Sequence, residues 1–295
     1  MSAIAITRSP LPGVAAGMFV AVTLVVCGDT AGKALTGLGV HPFVIGWMRF
    51  ALGLGLLAPV LGSVRSNLRG ALALPLALRG GLIACGIASI LTALRTEPFA
   101  DVFGAFFIGP AVSYLLSTTL LKERSTVLRG LLIGLGFVGV LMVVQPGIGF
   151  RPGMIFALLA GVFYGSYLTM TRLLAMRHPA RTLLFSQLLW GTLLLAPFGL
   201  WQAGSVGAAG SAGGAVLVLV SAMGSAAGNY LIVRISRAAP GTVVAPLVYL
   251  QLVSAAIMGW AVFGTMPDRL ALAGLAVITG SGLASLWFAR GDLRR

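Results

Sequence analysis

The stretch HPFVIGWMRFALGLGLLAP, residues 41–59, has a counterpart in HPARTLLFSQLLWGTLLLAP, residues 178–197. His41-Pro42 opens the first copy and Ala58-Pro59 closes it; His178-Pro179 and Ala196-Pro197 do the same for the second. The copies are offset by 137 to 138 residues in a chain of 295. The same offset lays Gly28-Asp29-Thr30 on Gly165-Ser166-Tyr167. A repeat this long in an apolar chain predicts duplicated membrane halves.

Composition supports that reading. Hydrophobic residues make up 58% of the chain and charged residues 9%, with a mean hydropathy of +1.03. Soluble proteins carry about 25% charged residues, so this chain has too little polar surface to dissolve. A helix crosses a bilayer with about 20 apolar residues. Apolar runs between charged or turn-rich breaks predict about ten spans, near 12–32, 42–61, 75–95, 98–120, 127–145, 152–172, 181–201, 213–233, 240–264 and 270–289. Arg79 interrupts the third. The first reads as a span and not a signal peptide, because no small-residue cleavage site precedes a polar domain.

The expected fold is therefore all-α and polytopic, with about ten transmembrane helices as two five-helix repeats around a central cavity. The predicted units are residues 1–147 and 148–295. Because five is odd, the second unit enters the membrane inverted, with a site expected near mid-membrane between the halves.

The formal charge of +14 reads as topology and not as a nucleic-acid footprint. Placing the N-terminus in the cytoplasm puts 15 of the 20 basic residues on that side, Arg79 among them, and four on the other. Arg49 stays within a span. Both termini are then cytoplasmic by the positive-inside rule, in a bacterial-type inner membrane. Cys27 and Cys85 fall in spans without metal or redox spacing and read as buried packing thiols. Neither a metal nor a cofactor is expected.

Two further runs carry a family resemblance: Pro98-Phe-Ala-Asp101 through Pro110 and Leu121-Lys-Glu-Arg124 to Gln145-Pro-Gly147, and Ala239-Pro-Gly-Thr-Val-Val-Ala-Pro-Leu-Val-Tyr249 through Phe263-Gly-Thr-Met-Pro-Asp268. With Asp29, Lys33 and Arg49-Phe50 they resemble the EamA-type members of the drug/metabolite transporter superfamily. The resemblance implies ten helices in two inverted bundles, the first, third, fourth, sixth, eighth and ninth helices around a cavity, and export of amino acids or related metabolites. One departure stands out: the first copy keeps Glu123 where the second has Thr265.

Ionisable groups within spans are costly and so mark candidate sites. Asp29 and Lys33 are four apart on one helix face and within pairing reach; a wet helix end and a role in substrate or proton handling are both open. Arg49 suits a lock on Asp29. These three are the gating or coupling candidates. Glu97 and Asp101 read as caps on the first turn of span four, and Lys122-Glu123-Arg124 as an exposed ion-pair cluster.

A stripe on span four, Phe103, Phe107, Pro110, Tyr114 and Ser117, shares one face. Span nine repeats it with Thr242, Pro246, Tyr249 and Val253. Each places a proline one turn before a tyrosine, and a proline frees a backbone carbonyl that only protein or cavity water can satisfy. Tyr164, Tyr167 and Thr171 on span six and Ser221, Ser225 and Asn229 on span eight extend the polar face. The predicted substrate cavity is Phe107, Tyr114, Tyr164, Tyr167, Asn229 and Tyr249. Gly130, Gly134, Gly136 and Gly139, with Gly224 and Gly228, suit close helix packing.

These features predict a secondary transporter of a small organic solute, most simply an exporter of amino acids. An importer of another metabolite or nucleotide-like compound is the alternative. An intramembrane lipid-modifying enzyme needs clustered acid, base or metal groups, and none gather. The expected partners are a small-molecule substrate and membrane lipid, in a monomer or a homodimer. Proton coupling stays open, with Asp29 the one carboxylate clearly at membrane depth.

Overall fold

The computed structural model describes residues 11–57, 72–122, 126–145, 151–238, 244 and 247–292. Ala58-Pro59, Arg65, Arg69, Glu123, Arg124, Thr242 and Pro246 lie outside the described residues. Among those described, every regular element is helical. In chain order they are α1 (Leu11–Gly37), α2 (Pro42–Leu57), α3 (Leu74–Thr96), α4 (Phe99–Phe106), α5 (Ile108–Thr119), α6 (Val127–Val144), α7 (Gly153–Ala175), α8 (Ala180–Trp201), α9 (Ala212–Ala238), α10 (Leu250–Phe263) and α11 (Arg269–Asp292), with a short 3-10 turn at Ala203–Ala209.

Among the described residues, six helical stretches are long and apolar enough to cross a membrane, one of them α4 and α5 taken together, and four shorter helices are also apolar. Leu131, Leu135, Leu141, Val216 and Trp260 are exposed on the outside, while Asp29, Arg49, Arg79, Gln187, Asn229 and Gln251 are buried within. Apolar outside and polar inside is the arrangement that lipid demands.

Span four is broken, as its proline predicts, although three residues early. Phe107, at φ −70° and ψ 4°, ends α4 and starts α5. Pro110 has no N–H for the Phe106 carbonyl and its ring crowds that oxygen, so the helix yields there. The freed carbonyl lies against Gly161 of α7, and the Gly109 carbonyl lies against Gly165. A Cβ at either α7 glycine would collide with backbone, which is the reason for glycine at both places.

The helices pack in pairs. α1 runs along α9, through Gly28, Gly224 and Gly228, and α3 runs along α7. α2 packs on α8 and α9, and α8 on α2 and α3. α5 meets α7, and α10 meets α1, where Thr23 and Ser254 hydroxyls are 2.7 Å apart. α6 crosses α11 with Gly139 and Gly274 each against the other's carbonyl. Gly130 and Gly134 face open space instead.

Candidate functional site

A cavity of about 30 Å³ lies at the centre of the bundle, lined by Asp29 of α1, Arg49 of α2, Ile83, Gly86 and Ile87 of α3, Phe106 of α4, Tyr164 of α7, Ser225 and Asn229 of α9 and Gln251 of α10. That volume holds a water or two and no metabolite. Its polar atoms are not all used. The Tyr164 hydroxyl and Gln251 Oε1 are buried and have no hydrogen-bond partner among the described residues. Buried polar atoms are nearly always paired, so these two mark a place that expects one.

Asp29 and Arg49 close one side of the cavity. The Arg49 guanidinium donates to Asp29 Oδ1 at 2.6 Å, to the Gly28 carbonyl at 2.6 Å and to Ser221 Oγ at 2.6 Å. Ser221 in turn donates to the same Gly28 carbonyl at 3.0 Å. Both ionised side chains are 3% exposed. Gly28 presses on the backbone of Ser221 and Ser225, and this contact lets the cluster join α1, α2 and α9. Asp29 therefore pairs with Arg49 and not with Lys33.

Arg79 lies behind the cavity wall, six residues into α3, and is entirely buried. It donates from Nε to Thr171 Oγ1 at 2.8 Å and from Nη1 to the Leu183 carbonyl at 2.9 Å. Its remaining nitrogen donates to Tyr167 Oη at 2.8 Å and to Gln187 Oε1 at 3.2 Å. The guanidinium also lies 4.6 Å from the Tyr167 ring centre, a cation–π contact. Tyr167 Oη lies 2.8 Å from Gln187 Oε1 and 3.3 Å from Asn229 Oδ1, the cavity-lining amide. Among the described residues, the hydrogen-bonded partners of Arg79 are all neutral. Sequence reading placed Arg79 among the cytoplasmic loop charges; the structure corrects this, because α3 begins at Leu74 and carries the arginine inside. Its signal was a single basic residue in the apolar run Leu74–Gly86.

Away from the cavity, Lys33 donates to the Leu94 and Glu97 carbonyls at 2.9 and 2.8 Å. It thus occupies the negative end of α3's dipole. Glu97 and Asp101 do not cap α4, which has no side-chain cap. Arg151 takes both, at 3.0 Å and 2.5 Å, because a cation between two carboxylates outbids an N–H. Asp268 accepts from the Ala271 N–H at 2.7 Å and from the Gln145 amide at 2.8 Å. The Ala271 bond, followed by that amide, holds the Asp268 carboxyl below the ordinary carboxylate range.

The structure thus gathers Asp29, Arg49, Tyr164 and Asn229 on the cavity, with Tyr167 behind it, its ring 5.9 Å from that of Tyr164. Phe107 and Tyr249 stack on each other at 5.2 Å, but Tyr249 sits against Gly136 and Gly282 of α6 and α11. Neither lines the cavity, nor do half-buried Tyr114 and Lys33. Gln251 and Gln187 were not predicted as site residues. Cys85 is exposed and not buried, and Cys27 is half-buried.

Helices apolar outside with buried charge inside define a multi-pass membrane protein. Residues 151–286 match the EamA-like transporter family. Three relatives extend the likeness to most of the chain. The S-adenosylmethionine uptake transporter of Rickettsia prowazekii (strain Madrid E) is 23% identical over 257 residues, 85% of this chain and 84% of the relative. That of Rickettsia bellii (strain RML369-C) is 23% identical over 85% of each. That of Rickettsia felis (strain ATCC VR-1525 / URRWXCal2) is 25% identical over 85% of this chain and 84% of its own. A crystal structure of another protein, 18% identical, aligns with a TM-score of 0.65 over 93% of this chain and 98% of that one, which shows a common fold. The second half of the chain thus resembles EamA-like transporters, and the three relatives, all named as transporters, extend that resemblance to most of its length.

Proposed function

We propose that this protein is a secondary transporter that takes up S-adenosylmethionine or a closely related nucleoside-bearing metabolite, by alternating access at the central cavity. The observation that carries the substrate is the similarity to three S-adenosylmethionine uptake transporters across most of both chains. Export of amino acids, the simplest expectation from sequence, finds no support in those three relatives.

The cavity chemistry suits such a solute. Phe106 and Tyr164 offer aromatic faces to a purine or a sulfonium cation, and Asn229 and Gln251 offer amides to ring nitrogens and hydroxyls. At about 30 Å³ the cavity is closed to any metabolite, so transport requires helices to separate and close in turn.

The architecture proposed for this cycle is ten helices in two inverted repeats, residues 1–147 and 148–295, with both termini cytoplasmic in an inner membrane. The pairing of helices supports it. Exchanging α1 with α7, α2 with α8, α3 with α9 and α5 with α10 turns each α1–α9, α2–α9 and α1–α10 contact into an α7–α3, α8–α3 and α7–α5 contact that is also present. The basic residues remaining after Arg79 is set aside keep the same bias. Within this scheme Asp29, Arg49, Tyr164, Tyr167 and Asn229 form the transport site, and Lys33 braces the end of α3.

Uptake of labelled S-adenosylmethionine into proteoliposomes, with and without an imposed pH gradient, tests the reading. Saturable uptake, blocked by unlabelled S-adenosylmethionine and not by excess amino acids, is expected. Uptake no faster than in empty liposomes, alongside counterflow of an amino acid, would overturn it.

A further inference from the structure

We propose that Arg79 is the anchor for a substrate carboxylate, a subsite one hydroxyl removed from the central cavity. The assignment rests on the transport reading for its location and adds to it the chemical group that the inner wall recognises.

The first observation is charge. Arg79 is fully buried, and its hydrogen-bond partners Thr171, Leu183, Tyr167 and Gln187 are all neutral. The chain has six acidic residues. Asp29 is committed to Arg49, Glu97 and Asp101 to Arg151, and Asp268 to Gln145 and the start of α11. Among the described side chains none supplies Arg79 with an anion. If the residue served only to tie three helices, a neutral side chain of similar reach would do so without a desolvated charge. An unneutralised guanidinium at low dielectric attracts an anion far more strongly than one in water, and its planar fork matches a carboxylate.

The second observation is access. Asn229 lines the cavity, and its Oδ1 lies 3.3 Å from Tyr167 Oη, which accepts from Arg79. A modest swing of Tyr167 away from Asn229 opens the guanidinium to the cavity. The unpartnered Tyr164 hydroxyl and Gln251 Oε1 face the same space and await the rest of a polar solute. Gln187 and Tyr167 then resume their bonds to Arg79 as the carboxylate leaves. A carboxylate built into the protein at this place would compete permanently, which accounts for the neutral cage.

The test compares S-adenosylmethionine with its decarboxylated analogue, in proteoliposomes of wild type, Arg79→Gln and Gln187→Glu. Gln187→Glu is nearly isosteric and places a permanent carboxylate beside the guanidinium, so it decides the matter even where Arg79→Gln fails to fold. Wild type is expected to favour the carboxylate by at least about tenfold. Gln187→Glu is expected to raise the thermal midpoint yet bring the two compounds within about twofold. A merely structural Arg79 would give the rise in midpoint and keep the preference, which overturns the proposal. Equal uptake of both compounds by wild type also overturns it and leaves the uptake reading standing. If wild type takes up neither, the S-adenosylmethionine reading falls, and thermal stabilisation by methionine against methioninamide decides the subsite: stabilisation by the carboxylate alone, lost in Gln187→Glu, upholds it, and no difference overturns it.

Discussion

One buried arginine lines the central cavity and a second lies behind its wall, and they are solvated by opposite means. Arg49 on α2 has a carboxylate at 2.6 Å, backed by Ser221 and the Gly28 carbonyl. Arg79 on α3 has a hydroxyl, an amide, a carbonyl and a tyrosine ring. The first charge is neutralised within the protein. Among the described residues the second is stabilised by dipoles alone, which bind a cation less well than an anion does but leave it free to take one. The sequence offset that lays Arg49 near Gln187 and Asp29 onto Ser166 places the acid–base pair in the first copy alone.

That difference fixes the order of expected effects. Asp29→Asn strands a buried guanidinium and is expected to destabilise by about 3–5 kcal/mol, read as a lowered thermal midpoint in detergent, with Asp29→Asn/Arg49→Met recovering most of it. A double variant no better than the single one would mean that Arg49 depends on more than Asp29. Tyr167→Phe removes one dipole of several from Arg79 and is expected to cost about 1–3 kcal/mol in the same measurement. A cost above that of Asp29→Asn would reverse the contrast between the arginines. Ser221→Ala is expected to cost about 1 kcal/mol, since Asp29 remains.

Asp268 is the water-exposed control. Its carboxyl is held below its ordinary value of 3.8, first by the Ala271 N–H and then by Gln145. Its stabilisation is fully present above that ordinary value and lost as pH falls through the lower folded one. A pH titration of the thermal midpoint should therefore show a small acid-side loss that Asp268→Asn removes, with no change near neutrality.

The sequence was most informative where the physics is local. Span positions follow from runs of apolar residues, and apart from the ninth, whose start lies largely outside the described residues, the helices lie within about five residues of them, although α1 continues to Gly37 and so buries Asp29 well inside. The break in span four follows from Pro110. Asp29 and Arg49 were legible because a charge amid apolar residues needs a partner, and a second such charge lay 20 residues on. Arg79 was hidden for the opposite reason. Close to a basic loop, it resembled one more loop charge, and its partners lie 88 to 108 residues away without any acidic member. Tyr249 misled because helical spacing gives a shared face but not which neighbour it meets, and α6 and α11 claim that ring through Gly136 and Gly282.

In the proposed transport cycle, solute passes through the cavity beside Arg49, in front of Arg79. Asn229→Leu tests it most directly, by placing an apolar branched side chain in a cavity of about 30 Å³, with exposed Trp260→Phe as a folding and lipid-contact control. S-adenosylmethionine uptake in proteoliposomes should fall by about tenfold or more in Asn229→Leu while Trp260→Phe stays at the wild-type rate. Wild-type uptake by properly inserted Asn229→Leu would contradict the account and move the pathway elsewhere in the bundle.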